Sequence, residues 1–236
     1  ASLGLLGNYT YFGVSKETIA FGGDWPLVLG CGIIGGGFGA LFSLLALKTT
    51  RRIRRWRTQQ PLARALLVAA VCGLGVAVIG IVSGGLTFGT GYAQARGAVE
   101  GTPLPWFFFV EKFLAGLLSM VSGIPGGIFA PSLAVGAGIG SSLGLLFGAS
   151  AGAAALLGMA GYFAGVVQAP MTAFVIILEM TGNHDNVIAL MLASMLGYGT
   201  ARMISHEPLY HALSRVFIAE AIRRRRAEAA PESGHG

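Results

Sequence analysis

The sequence predicts an all-α polytopic membrane protein with broken and re-entrant helices, and three observations carry that prediction. Of the 236 residues, 54% are hydrophobic and only 11% are charged, whereas a soluble domain is about 25% charged. The chain contains 38 glycines, far above the usual ~7%, and small residues are typical of helices that pack closely inside a membrane. No segment shows the strand-like alternation of apolar and polar residues.

The same composition excludes three other classes of protein. A disordered chain would contain few apolar residues and many charges. The glycines have no period of three, which excludes collagen. The two cysteines, Cys31 and Cys72, are too few for a disulfide scaffold. Both lie in apolar runs, so we expect them to be packing residues.

The elements follow in order along the chain. An external loop is expected over residues 8–25, ahead of the first uncharged run at 27–47. That run is long enough to cross a bilayer as a helix. Helices or half-helices are predicted over 26–50, 61–82, 105–121, 128–147, 152–166, 170–181 and 186–204, with a glycine-rich loop over 83–92 and a last helix from about Pro208.

One uncharged run is too long for a single span. Residues 113–178 contain no charged side chain over 66 positions, and as one helix they would extend roughly 100 Å, about three times a bilayer core. Because prolines and glycines interrupt the run, we expect it to fold back inside the membrane. Such discontinuous helices are where transporters place their substrate sites.

The positive charges predict the topology. Seven of the 16 Lys and Arg residues lie between Lys48 and Arg64 with no acid among them, and a second group includes residues 223–226. By the positive-inside rule, both groups belong in the cytoplasm, together with the C-terminus. A nucleic-acid surface is disfavoured because the clusters adjoin apolar spans and lack aromatic platforms. The predicted localisation is the inner membrane of a bacterium.

Two glycine patterns indicate close packing of helices and not a binding site. The Gly30–Gly35 stretch formally matches a dinucleotide-binding fingerprint, but it lacks the preceding strand and the downstream acid. Glycines also recur every four residues from Gly136 to Gly152. On a helix this spacing makes a flat ridge for a neighbouring backbone, and the ridge should end near Gly148.

The segment that favours a binding site is Ser122–Pro131, which lies in the middle of the long uncharged run. Its prolyl-diglycine breaks any preceding helix, so a new helix begins near Ile128. The first amides of a helix have no internal acceptor, which leaves those of Ile128 and Phe129 free to bind an anion. The alternative is a kinked helix that merely packs on a neighbour.

Four ordered stretches resemble the CLC family of chloride channels and chloride/proton antiporters. Gly126-Gly-Ile-Phe-Ala-Pro131 looks like the family's GxFxP signature. The glycine-rich stretch from Ser83 to Gly91 and the paired-helix stretch 164–181 are similar to family segments in the same order, as is Pro208-Leu-Tyr210. The resemblance covers nearly the whole chain.

The resemblance implies a fold and a site. The fold would be the CLC-like inverted-repeat helical fold, with residues 1–222 forming only the second repeat and 223–236 a basic cytoplasmic tail. The implied anion ligands are the amides of Ile128 and Phe129 and the hydroxyl of Tyr210. Gly126, Gly127, Ala130 and Pro131 complete the half-helix motif. The serine and glutamates of the family's first repeat have no counterpart here.

Other polar residues receive smaller roles. Ser122 lies in a stretch that resembles the first-repeat serine motif in letters, but its position argues against an anion ligand. Glu179 is expected to have a structural hydrogen-bonding role. The histidines show no metal spacing, so we expect no metal, no cofactor and no enzymatic activity.

The predicted function is chloride transport as part of a CLC-type channel or antiporter. The expected partners are chloride, protons, the lipid bilayer, the missing N-terminal half and a second copy docked through residues 164–200. The alternatives are a fluoride-selective exporter of the same type and a non-transporting membrane scaffold subunit.

Overall fold

The computed structural model describes residues 12, 25–57, 61–123, 126–182, 185–205, 208, 209 and 214. Within these parts of the chain every regular element is a helix, as the composition predicts. In chain order the helices are α1 (Trp25–Arg57), α2 (Pro61–Val82), α3 (Tyr92–Val99), α4 (Phe108–Val121), α5 (Phe129–Phe147), α6 (Ala151–Val167), α7 (Pro170–Thr181) and α8 (Val187–Ile204). By length and composition, α1, α2, α5 and α8 could each cross a membrane.

Six predicted helices are confirmed with bounds that agree to within three residues, and α1 is the exception. This helix was expected to end near residue 50, but it continues through the basic cluster to Arg57. Arginine is a strong helix former, and no glycine or proline follows Lys48 before the helix ends. The positive charges therefore do not mark the end of the helix.

The short helix α3 was not predicted. It begins after Gly91, whose φ of 81° places it in the left-handed region. Eight residues are too few to show a helical period of apolar positions, so no sequence signal marks α3 beyond the glycine-rich loop that precedes it. The predicted external loop and the last predicted helix lie largely outside the described residues.

The predicted glycine ridge is confirmed as the contact between α5 and α6. A Cβ atom on Gly136 would lie 2.6 Å from the Cα of Met159 and 2.8 Å from the carbonyl oxygen of Gly158. The two backbones therefore approach more closely than any larger side chain allows. Gly148, with φ of 67°, ends α5 at the predicted break.

The glycines of α1 also serve packing. A Cβ on Gly35 would lie 2.7 Å from the amide nitrogen of Tyr162 in α6, and one on Gly32 would lie 2.7 Å from Leu196 Cβ in α8. The dinucleotide-like stretch is thus a helix contact surface, as expected. Cys31 and Cys72 are both buried and free, which confirms them as packing residues.

The core and the apolar surface separate clearly. Helices α5 and α6 are buried along most of their lengths. In contrast, α2 exposes Leu62, Leu74 and Ile81 at 70% or more of their surface. An exposed apolar helix face beside a buried bundle is typical of contact with lipid.

The segment immediately before α5, at Gly126 and Gly127, lies beside a cavity.

Candidate anion site at the start of α5

The amino terminus of α5 is open. Ile128 is the N-cap residue, and no side chain caps the helix. The first amide to find a helical acceptor is that of Ser132, which donates to the Ile128 carbonyl at 3.0 Å. Within the described residues, the amides of Ile128, Phe129 and Ala130 donate to nothing, and Pro131 has no N–H. These are the unpaired donors that the sequence predicts for this helix.

A cavity of about 720 Å³ lies beside this terminus. Its walls come from α1, α2, the glycine-rich loop, α4, α5 and α6. From the predicted half-helix motif, Gly126, Gly127, Ile128 and Pro131 line it. Of the residues with unpaired amides, Ile128 thus lies next to the cavity, which is the arrangement that an anion site requires.

Phe129 and Ala130 do not line the cavity. The ring of Phe129 packs edge-to-face on Phe163 of α6, with centroids 4.7 Å apart and planes at 73°. Ile128 and Phe129 are consecutive, so their side chains point about 100° apart around the helix. The ring contact anchors the first turn of α5 to the core, while the amide of Phe129 keeps no protein acceptor among the described residues.

The third predicted ligand, Tyr210, lies outside the described residues. The segment that leads to it is held at Ser205, whose carbonyl oxygen accepts a hydrogen bond of 2.8 Å from Gln168 Nε2. Gln168 ends α6 with φ of 56°, the left-handed conformation that a side chain larger than glycine rarely adopts. Leu209, next to Tyr210, is wholly buried in the cluster that also contains Tyr162 and Val135.

The glycine-rich loop forms another part of the cavity wall. Ser83 Oγ lies 2.9 Å from Thr87 Oγ1, and the Thr87 amide donates to the same Ser83 oxygen. These bonds shape the turn between α2 and α3. Thr87, Phe88 and Gly89 line the cavity from this loop.

Lys112 is a cavity residue that sequence reasoning missed. Its side chain on α4 is only 2% exposed, and its Nζ donates to the carbonyl oxygens of Thr87 and Gly89, each at 2.8 Å. An ionisable residue between apolar helix positions was the available signal. Its neighbour Glu111 is adjacent in sequence and does not form a helix-face pair with it.

Two hydroxyls were also missed. Tyr162 of α6 is wholly buried and lines the cavity, as does Ser132 of α5, which is 3% exposed. Neither hydroxyl has a hydrogen-bond partner among the described residues. No sequence signal distinguishes Tyr162 from the apolar residues around it.

The two other polar residues weighed from the sequence behave differently. Ser122 lines the cavity, but its Oγ donates to the Ser119 carbonyl at 2.7 Å. The expected hydrogen-bonding role of Glu179 is wrong for the described part of the chain, where its side chain is exposed on α7 and bonds to nothing. The search for three or more clustered metal-ligating side chains found none among the described residues.

Comparisons with known proteins identify the family to which this fold belongs. The model of the family "Voltage gated chloride channel" matches residues 1–202. The H(+)/Cl(-) exchange transporter ClcA of Yersinia pestis bv. Antiqua (strain Angola) is 32% identical over 227 residues, covering 87% of this chain and 46% of the relative. ClcA of Klebsiella pneumoniae (strain 342) is 32% identical over 218 residues, with the same coverage.

Solved structures share the fold. A CLC-type fluoride/proton antiporter superposes with a TM-score of 0.73 at 22% identity, covering 88% of this chain and 51% of that one. A slow cyanobacterial Cl⁻/H⁺ antiporter gives a TM-score of 0.63 at 21% identity, with 87% and 49% covered. The chain spans about half the length of the relatives that it matches. It is an all-α integral membrane protein that belongs to the voltage-gated chloride channel (CLC) family.

Proposed function

We propose that this chain supplies one half of a CLC-type chloride pathway and acts as part of a channel or a chloride/proton antiporter. The observation that carries the proposal is the open terminus of α5. Three successive amides lack acceptors there among the described residues, and the first of the three residues, Ile128, lines a cavity. The relatives at 32% identity are named as H(+)/Cl(-) exchange transporters, which supports chloride and protons as the transported ions.

The donors at this terminus suit a transported ion. Backbone amides at the positive end of a helix dipole attract an anion without a full formal charge. An anion held in this way can leave as readily as it enters, and conduction requires such weak binding. The amides of Ile128 and Phe129 are the proposed ligands, and the motif residues Gly126, Gly127, Ala130 and Pro131 form the turn that presents them.

Tyr210 is the proposed third ligand. A phenol is a neutral donor, so it can bind chloride without trapping it. The Gln168–Ser205 hydrogen bond and the burial of Leu209 support this role, because they fix two positions of the chain shortly before Tyr210.

The complete transporter requires more than this chain. We propose that an inverted first repeat supplies the remaining anion ligand and the gating glutamate, with the basic end of α1 and the C-terminus in the cytoplasm of a bacterial inner membrane. A second copy would dock through residues 164–200. The exposed apolar side chains of α7 and α8 in this range, among them Met171, Val175, Ile188 and Met191, support that interface.

Chloride efflux tests the proposal. The complete parent protein is reconstituted in liposomes, and efflux is followed with a chloride electrode for the wild type, Tyr210→Ala and Tyr210→Phe. We expect selective efflux from the wild type and a chloride affinity reduced about tenfold in both variants, since each removes the hydroxyl donor. Tyr198→Phe is the matched control, because its hydroxyl bonds Arg202 on α8.

Two results would count against the proposal. Wild-type liposomes that release no chloride would exclude transport and favour a scaffold subunit. Efflux that is blocked by fluoride at far lower concentration than by bromide would identify a fluoride exporter instead. The fluoride antiporter among the structural neighbours is 22% identical, so it supports the fold and not the choice of halide.

A further inference from the structure

A buried ammonium without a carboxylate partner is the feature of the cavity that the proposed function does not use. Lys112 is 2% exposed on α4. Burying a charge is costly unless an opposite charge or good hydrogen bonds compensate it. Among the described residues that line the cavity, Lys112 is the one charged side chain.

The hydrogen bonds of Lys112 account for only part of its donors. An ammonium carries three N–H groups, and two of them are taken by the carbonyl oxygens of Thr87 and Gly89. Those dipoles stabilise the positive charge but do not neutralise it. The third N–H has no acceptor among the described residues.

The adjacent Glu111 does not neutralise Lys112. Consecutive residues of a helix point about 100° apart, and Glu111 is absent from the cavity wall. In the described portions of the chain no ion pair joins Lys112 to any carboxylate, and the pair that does form links Arg96 to Glu100 on α3.

The loop closes tightly around the lysine. A Cβ atom on Gly91 would lie 2.9 Å from Lys112 Cε and 3.4 Å from its Nζ. The ammonium is therefore held at a fixed position in the cavity wall. Its free N–H belongs to the same cavity as Gly126, Gly127 and Ile128.

We propose that Lys112 is the fixed positive charge of this cavity and that its counter-ion is a mobile inorganic anion of halide size. The inference rests on the proposed function for the source of that anion. The anion accepts the third N–H of Lys112, while the amides of α5 form a separate, weaker position. Among the described lining residues no acid accompanies this cation, and a fixed cation of that kind raises the local anion concentration and repels cations.

This pairing makes the stability of the fold depend on anions. A ligand that binds only the folded state stabilises it in proportion to the logarithm of its concentration. We therefore expect the melting temperature to rise with chloride, and we expect that rise to depend on the charge at position 112.

The experiment uses the complete protein in detergent, starting from a gluconate buffer without halide, and measures melting temperature against added chloride. Lys112→Gln keeps an N–H donor for the loop carbonyls and removes the charge, whereas Lys112→Arg keeps the charge. We expect the half-effective chloride concentration to rise about tenfold in Lys112→Gln. Lys112→Arg and the surface control Arg96→Gln should stay within about twofold of the wild type.

A folded Lys112→Gln variant with the chloride dependence of the wild type would overturn the inference. The same conclusion would follow if Lys112→Arg lost the dependence as completely as Lys112→Gln, because the charge would then not be its cause.

A second measurement needs no variant. Crystals of the wild type soaked in bromide should show an anomalous peak in hydrogen-bond contact with Lys112 Nζ. A peak only at the amides of Ile128 and Phe129 would overturn the inference and leave the proposed function intact. The absence of peaks at both positions would overturn the inference and also contradict the proposed anion site.

Discussion

The side-chain amide of Gln168 donates a 2.8 Å hydrogen bond to the carbonyl oxygen of Ser205. This bond connects the end of α6 with the segment that precedes Tyr210, across 37 residues of sequence. Gln168 has φ of 56°. This conformation costs about 1 kcal/mol or more for a residue other than glycine, and it occurs where α6 is tied to the segment before the proposed ligand.

Gln168→Ala should weaken chloride binding several-fold and lower the free energy of unfolding by about 1 kcal/mol, the typical net contribution of one hydrogen bond. Gln168→Gly is the matched variant, since it also removes the bond but relieves the left-handed strain. It should therefore be more stable than Gln168→Ala and bind chloride equally weakly. Chloride titration calorimetry and thermal unfolding check both expectations, and wild-type affinity in both variants would show that the bond does not position the site.

Tyr162→Phe should reduce chloride affinity about three- to tenfold with little change in stability. The substitution removes one hydroxyl that lines the cavity and has no partner among the described residues, and one hydrogen bond is worth about 1 kcal/mol. The ring keeps its packing, so the fold is preserved. Tyr198→Phe is the control, because its hydroxyl accepts from Arg202 outside the cavity. Equal losses in the two variants would argue against a role for Tyr162 in the cavity.

Gly91→Ala should destabilise the protein by about 2–5 kcal/mol. The new Cβ would lie 2.6 Å from Ala134 Cβ and 2.9 Å from Lys112 Cε, and overpacking of that kind typically costs about 1–3 kcal/mol. The left-handed φ of 81° adds about 1–2 kcal/mol. In Gly84→Ala only the left-handed cost remains, since nothing lies within 4 Å of its Cβ position. Denaturant unfolding of both variants should therefore separate the clash from the strain.

Gly136→Ala should destabilise the contact between α5 and α6. Its Cβ would lie 2.6 Å from the Met159 backbone, so one helix must move away, at a cost of about 1–3 kcal/mol or more. Gly37→Ala on α1, where the Cβ would meet nothing within 4 Å, should instead be neutral or stabilising by up to about 1 kcal/mol. Similar melting temperatures for the two variants would contradict the close contact.

The helices were predictable because local signals mark them. Apolar runs give the lengths of α2, α5 and α8, and Gly148 ends α5 at the position where the backbone adopts the left-handed conformation. The extension of α1 to Arg57 was missed because hydropathy indicates whether a segment lies in lipid or in water. It does not indicate whether the backbone of that segment is helical. The short helix α3 was missed because its fold depends on contacts with α5 and α6.

Of the candidate anion site, only the unpaired backbone amides at the start of α5 were predictable from the sequence. The amides at Ile128 follow from proline and glycine positions, which are local. Lys112 was missed because its acceptors, Thr87 and Gly89, are 25 and 23 residues away in sequence. The ring contact of Phe129 depends on Phe163, which only the packing of α5 on α6 brings near.

The proposed role of the α5 amides is tested most directly by removing one donor without altering a side chain. An ester in place of the amide of Phe129, introduced as the α-hydroxy acid, removes its N–H and also makes the Ile128 carbonyl a weaker acceptor for the Ser132 amide. The matched control is the same exchange at Leu146, near the exposed end of α5. Chloride binding and efflux of the complete protein are then compared.

The ester at Phe129 should weaken chloride binding about tenfold, because the anion loses a donor at the positive end of the helix, while the ester at Leu146 should leave binding unchanged. Wild-type chloride affinity and efflux with the ester at Phe129, in a protein that melts at the wild-type temperature, would contradict the assignment of this terminus as the anion site.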